Sequence, residues 1–373
     1  MISRRIHIAN FEMGNQCNRC HHSAEEKNQM DLRTQDPNGD SQPVARASAR
    51  GSSNMEEHTP EIVKLQSAFR GFKDRSLVLS KDLGLPGPMV DFDNKHHRPS
   101  NSNRVSLKKF KIPSNIKAIL KEMKPFEFEE PLQATQHLPW GGPYDFGEDL
   151  YFGQFKNKLR HGRGKLIFKN GGYYIGTWAN DKANGFGRFV HPDLDVYEGH
   201  WKDDSAEGHG VYYHRNGSVF VGEWKADKQE GLGREEWKDG TVYEGNYVDG
   251  LKHGHGKFIW ADGSTYEGEF SANVICGTGT YKWADGRVYT GQWMNNKMNG
   301  KGVLQATDGK RYEGEYLKDQ KHGHGEFLWP DGKRYIGNWS MGKQHGIGIV
   351  KTKEGFERTG EFHEGKLIKW LTK

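Results

Sequence analysis

Tyr174-Ile175-Gly176-Thr177-Trp178 repeats the outline of a string that stands 23 residues earlier, Tyr151-Phe152-Gly153-Gln154-Phe155. The outline returns from Tyr197, Phe220, Tyr243, Tyr266, Tyr289, Tyr312 and Tyr335, always 23 residues on, and a degenerate tenth copy from Arg358 keeps Gly360 and Phe362 in register. No insertion or deletion interrupts the series. Eleven and thirteen residues after each leading aromatic comes a Gly-x-Gly, from Gly162/Gly164 to Gly346/Gly348. Nineteen residues after it, most copies carry Asn-Gly or Asp-Gly, as at Asn170-Gly171, Asn216-Gly217, Asp239-Gly240 and Asp331-Gly332. These dipeptides supply the positive φ angles of a tight turn. The series therefore reads as a run of β-hairpins.

Within each strand the period is two. Tyr, Gly and Trp at i, i+2 and i+4 share one face of a sheet. Gly254, Gly256, Phe258 and Trp260 continue that parity in a returning strand. Glycine beside aromatics leaves bare backbone for rings to lie on, and each ring buries roughly 150–250 Å². The opposite face reads Glu, Lys, Thr, Gln, Arg and Asp, and is expected to be solvated. Composition agrees: 49 of 373 residues are glycine and 12% are aromatic, with only 34% hydrophobic. Such a chain is too poor in aliphatic residues for a conventional α/β enzyme core. Residues 1–140 hold six glycines and one tryptophan, Trp140, whereas 141–373 hold the other 43 glycines and ten tryptophans. Two regimes share the chain.

The unit Tyr-x-Gly-x-Trp … Gly-x-Gly … Asp-Gly strongly resembles the MORN repeat, over about residues 147–370 in ten copies. The resemblance implies an all-β fold: an elongated, single-layer antiparallel sheet of tandem hairpins, which at ~4.8 Å per strand is about 95 Å long. Asp193-Leu194 and Glu354-Gly355 depart from the turn pattern, and Glu235 replaces an aromatic or aliphatic residue. The tenth copy, without its leading aromatic, reads as a terminal cap.

No nucleophile triad, phosphate-binding loop or paired-carboxylate cleft stands out, so no catalytic residue and no enzyme activity is expected. His161, His253, His322 and His345 recur beside the first glycine of the pair, with His209, His255 and His324 between the two. Zinc needs ligands converging tetrahedrally, and a histidine that recurs with the unit is part of the unit. No metal site is expected. Three cysteines exclude a disulfide framework and fit a reducing compartment. No stretch of 18 apolar residues or secretory signal occurs, which predicts a cytoplasmic protein without a transmembrane segment.

The amino-terminal third divides into a polar, disordered tail (1–58), a helix (59–80), a basic linker with a short helix (81–125) and a cap of the array (126–146). Thr59-Pro60-Glu61 is a helix start. Leu65, Gln66, Arg70, Gly71 and Arg75 match the IQ motif, and with Phe69 and Phe72 they form a stripe suited to the groove of calmodulin or a related EF-hand protein. The other reading is an amphipathic helix docked on the β-array. Residues 95–124 carry nine cations (Lys95, Arg98, Arg104, Lys108, Lys109, Lys111, Lys117, Lys121, Lys124) against Glu122. That local +8 suits an anionic surface such as acidic phospholipid, each residue contributing ~1 kcal/mol; a solvated linker is the alternative. Ile112, Ile116, Ile119, Leu120 and Met123 line one side of the short helix. Were translation to begin at Met13, Gly14 would suit myristoylation, with Cys17 and Cys20 open to palmitoylation, although Asn18 departs from that pattern. Cys17-x-x-Cys20-His21 also spells a haem-attachment string, but no exported compartment supports it and no cofactor is expected.

These features point to a non-catalytic scaffold with cytoskeletal or membrane-associated protein partners, peripheral at a membrane or the cell cortex. A phospholipid-binding module is the first alternative. The near-neutral array, 33 basic against 32 acidic residues in 141–373, argues against lipid binding by the repeats. A ciliary component is the second, since radial-spoke-head proteins resemble the array. Nucleic acid is not an expected partner.

Overall fold

A computed structural model describes residues 110–129, 135–146 and 149–372. They form one helix, α1 (Ser114–Glu122), and 21 strands from Trp140–Phe146 to Lys366–Trp370. The fold is all-β. Between the first and last copies, each repeat supplies a seven-residue leading strand, such as Tyr173–Ala179, and a nine-residue returning strand, such as Lys182–Val190. The chain divides into two compact units, one taking in 110–252 and 258–261 of this range, the other 253–257 and 262–372.

In the first unit, antiparallel pairing between sequence neighbours sets Gly164 opposite Gly176, and Gly176 opposite Gly187. The row continues through Gly199, Gly210, Gly222 and Gly233. In the second unit Gly279, Gly291, Gly302, Gly314, Gly325 and Gly337 form a like row. In most repeats a leading tyrosine lies across the pair of its own hairpin. A Cβ on Gly176 or Gly187 would stand 2.4 or 2.3 Å from the Tyr174 hydroxyl oxygen. The hydroxyl donates a hydrogen bond to the carbonyl three residues on: Tyr174 to Thr177 (3.1 Å), Tyr289 to Gln292 (3.0 Å), Tyr335 to Asn338 (2.9 Å). Burial holds the Tyr174 phenol well above its ordinary pKa, so it stays a donor.

Most of these tyrosines also meet two rings edge-on. Tyr174 touches Trp178 of its own repeat (5.1 Å) and Trp201 of the next (5.5 Å); Tyr289 touches Trp293 (5.2 Å) and Tyr316 (5.1 Å). Edge-to-face pairs add ~0.5–1.5 kcal/mol beyond the area they bury. The core of each unit is this ladder of rings on one face of the sheet.

The turns differ from the expectation. Asn170-Gly171 is part of a longer loop in which the Gly171 N–H bonds Phe168 O (2.9 Å) and the Phe168 N–H bonds Gly172 O (2.9 Å). Only Gly171 takes positive φ there (+92°). The tight two-residue turns fall at the other end of the hairpin, at Asn180-Asp181 (φ 50° and 69°), Asp203-Asp204 and Lys318-Asp319. The second turn residue reaches back to the preceding repeat. Asp181 accepts the Arg160 N–H, Asp204 that of Ala183 and Asp227 that of Ala206, each at 2.7 Å.

Glu235, the departure in the fourth copy, sits on the aromatic face at 5% exposure. Its carboxylate accepts from Lys252 Nζ (2.9 Å) and from the Tyr247 hydroxyl (3.1 Å). The ammonium lies over the rings of Trp237 (4.9 Å) and Tyr243 (5.0 Å). A buried ion pair is costly to break and cheap to replace whole. Lys252→Met alone is expected to cost about 3–5 kcal/mol of stability in urea unfolding, and Glu235→Leu/Lys252→Met to recover most of it. Equal losses in the two variants would show that the pair is not coupled.

Candidate interaction surface

The face opposite the rings is not uniformly solvated. In the first repeats it carries Ile167, Tyr173, Ile175, Val190 and Val196, where later repeats place Thr265, Glu267 and Lys282 at positions equivalent to Tyr173, Ile175 and Val190. Residues 110–129 cover that apolar stretch. Ile116 of α1 is fully buried among those five residues, flanked by Phe110, Ile112, Ile119, Leu120 and Met123 of the same segment. The helix forms because the stripe has helical spacing, and it stops where Met123 turns extended.

The chain then runs over the sheet as an extended strap. Lys124 O accepts from Arg188 Nη2 (3.0 Å), and Arg188, itself buried, is ion-paired to Glu198. Phe126 stacks on Phe186 (5.8 Å, interplanar 13°). Arg163 lies over the Phe128 ring (5.1 Å), and Glu129 reaches His200 (3.4 Å). Leu194 takes φ +80° in the loop position where most repeats place glycine. Its side chain packs against the Ile116 cluster. A left-handed leucine costs about 1–2 kcal/mol, which burial against α1 offsets.

With its apolar side occupied, the segment presents its cations outward: Lys111, Lys117, Lys121 and Lys124 are all exposed. The structure thus brings four of the nine residues of the basic stretch onto one docked segment. Lys95, Arg98, Arg104, Lys108 and Lys109 lie outside the described residues. So do the IQ-like Leu65, Gln66, Phe69, Arg70, Gly71 and Arg75, and the acylation-like Gly14, Cys17 and Cys20.

A second polar cluster sits under the loops of the aromatic face. Asp195 accepts from the Tyr212 hydroxyl (2.9 Å) and the Arg215 N–H (2.8 Å), with His214 Nδ1 at 3.5 Å. Burial pushes the Asp195 carboxyl up, but bonds from His214, the Arg215 N–H and Tyr212 outweigh it and hold the group below its usual range. His191, edge-on to Phe189 at 4.3 Å, is pushed down to about 4 by burial. These side chains occupy the loop position where other repeats stack Trp237, Trp260 or Trp283, so the cluster belongs to the fold. Among the described residues no group of three or more His, Cys, Asp or Glu could hold a metal ion.

Sequence reasoning missed the docking face because the repeat outline averages over copies. Ile175, Phe186 and Leu194 were each visible as departures from the later repeats.

A family model described as MORN repeat matches nine segments of the chain in succession, from 151–173 to 335–351, more than half of its length. The last hairpin, Glu357–His363 with Lys366–Trp370, lies beyond them. Among solved structures, the TCP10 domain of Danio rerio CPAP is 14% identical, with a TM-score of 0.32, covering 56% of this chain and 99% of that one. The TCP10c domain of Drosophila melanogaster Sas-4 is 12% identical (TM-score 0.27; 42% and 95% covered). A streptogramin B lyase structure is 10% identical (TM-score 0.14; 58% and 80% covered). At these TM-scores none of them bears on function. No curated protein matches the chain.

Proposed function

The chain belongs to the MORN-repeat family, and from that we propose that it is a non-catalytic scaffold that binds protein partners at a membrane or the cortical cytoskeleton, with calmodulin or a related EF-hand protein as regulator. MORN repeats are typical of membrane- and protein-binding scaffold modules, and no enzyme family is indicated. Among the described residues no helix is long and apolar enough to cross a membrane.

The observation that carries the membrane part of this reading is the docked basic helix. An amphipathic helix that binds a bilayer buries its apolar side in the headgroup region. In α1 that side is already spent on the array, so attraction to anionic lipid runs through the lysines without insertion. Contact of this kind is salt-sensitive, because exposed charges are screened within ~8 Å at physiological ionic strength. Were translation to begin at Met13, the acylation-like string at Gly14, Cys17 and Cys20 would supply the second attachment signal that stable anchoring takes.

Co-sedimentation of the full chain with anionic vesicles tests it. At ~1 kcal/mol per lysine, replacing Lys111, Lys117, Lys121 and Lys124 by Gln is expected to weaken binding by up to about 10³-fold. Unchanged binding by that variant would remove the docked lysines from lipid contact.

Regulation rests on residues 59–80. A peptide of residues 58–80 is expected to bind calmodulin, and Phe69→Ala/Arg70→Ala to abolish binding in calorimetry. Equal affinity of the variant peptide would remove calmodulin from the account.

A further inference from the structure

The apolar floor under the strap has a counterpart two repeats on, which no helix or strap among the described residues covers. Adding 46 to four of the five floor residues, Ile167, Tyr173, Ile175 and Val196, gives Tyr213, Val219, Val221 and Val242, all still apolar, while the fifth, Val190, becomes the exposed Glu236 at the edge of the patch. The first four are buried; Tyr213 is exposed and the three valines half-buried. Phe186, on which the strap stacks Phe126, corresponds to Leu232, 69% exposed. Buried Arg188, which holds the strap's main-chain carbonyl, corresponds to exposed Arg234, and the cross-strand pair Arg188/Glu198 to Arg234/Glu244. Val219, Val221, Arg234 and Glu236 line a hollow in the surface there.

The chain also contains a second copy of the segment that fills the first site. Residues 110–119 read Phe-Lys-Ile-Pro-Ser-Asn-Ile-Lys-Ala-Ile, and residues 63–72 read Val-Lys-Leu-Gln-Ser-Ala-Phe-Arg-Gly-Phe. Lys111 and Ser114 recur as Lys64 and Ser67. The four apolar positions Phe110, Ile112, Ile116 and Ile119 recur as Val63, Leu65, Phe69 and Phe72, and the cation Lys117 recurs as Arg70. The buried knob Ile116 thus corresponds to Phe69. Its site corresponds to one in which valines at 219 and 221 replace the larger Tyr173 and Ile175, leaving more room for a ring.

We propose that residues 63–72 dock on the face formed by Tyr213, Val219, Val221, Leu232 and Val242, as residues 110–119 dock two repeats earlier. Reach is ample. The 37 residues between Phe72 and Phe110 extend to at most about 130 Å, while two repeats amount to about 19 Å of sheet. The face is continuous with one the same chain already covers, and covering it removes apolar surface from water. The proposal rests on the reading of this segment as an amphipathic helix, and it makes array and calmodulin compete for one apolar stripe.

The test places a photo-crosslinking benzoylphenylalanine at Leu232 in the full chain, an exposed position whose replacement leaves the ring ladder intact. Mass spectrometry is expected to find an intramolecular crosslink to the peptide containing residues 63–72. Phe69→Asp/Phe72→Asp, outside the array, is expected to lower its yield at least about tenfold, the loss that ~1.4 kcal/mol of docking energy produces. Crosslinks only to other segments, only between two chains, or unaffected by Phe69→Asp/Phe72→Asp would each overturn the proposal. An added calcium–calmodulin arm separates the two readings. A crosslink that forms and persists while calmodulin fails to bind supports docking and removes calmodulin alone.

Discussion

A tyrosine ring laid flat over two facing glycines is the contact on which this protein is built. The sheet has a single layer of backbone, so the repeats build their shared core from one face. Removing both Cβ atoms lets the ring of Tyr174 settle onto Gly176 and Gly187, with its hydroxyl spanning to the Thr177 carbonyl. A ring buried there removes roughly 150–250 Å² from water, about 4–6 kcal/mol at ~25 cal/mol per Å². Each returning glycine therefore does what an aliphatic side chain does elsewhere: it makes room for burial. That is how a chain of 34% hydrophobic residues sustains 21 strands.

The remaining features of the repeat keep this contact in register. Phe220 takes the tyrosine's place in the fourth copy, and its ring still lies over Gly222 and Gly233 at 2.7 and 2.5–2.6 Å from their would-be Cβ atoms. The ring is therefore the essential part and the hydroxyl an addition. The turn carboxylates of Asp181, Asp204 and Asp227 tie each hairpin to the one before it. Where a ring position is lost to Glu235, a lysine arrives from the next returning strand to neutralise the charge among the aromatics. The other face is where the copies are free to differ. In the first repeats that freedom supplies a floor for α1, which turns an amphipathic basic segment into a fixed display of lysines.

Most of the fold was legible in the sequence, because the 23-residue period and the parity of Tyr, Gly and Trp depend only on backbone geometry. The tight turns were harder to see. Asn180-Asp181 and Lys318-Asp319 lack the Asn-Gly signature, and the visible Asn-Gly and Asp-Gly pairs occupy the longer loops. The signal was nonetheless periodic: Asp181, Asp204, Asp227, Asn273, Asn296 and Asp319 fall in one phase of the repeat. The docking face was hidden for a different reason. A consensus describes what the copies share, and this surface consists of what they do not: Ile175 against Glu267, Phe186 against Thr278, Leu194 against Gly286. The stripe of α1 was readable, but which surface would receive it was settled by those unshared positions.

The central claim is that glycine is required because the ring needs its space, and a double-mutant cycle at Gly187 and Tyr174 measures that directly. The three atoms nearest a Cβ on Gly187 all belong to the Tyr174 ring, so no other contact confuses the result. Gly187→Ala is expected to destabilise the wild-type protein in urea unfolding by about 1–3 kcal/mol, the usual cost of overpacking. In a Tyr174→Ala background the same change is expected to cost little, giving a coupling energy above ~1 kcal/mol. If the two changes add to within ~0.5 kcal/mol, the ring does not rest on the glycines, and the packing account is wrong.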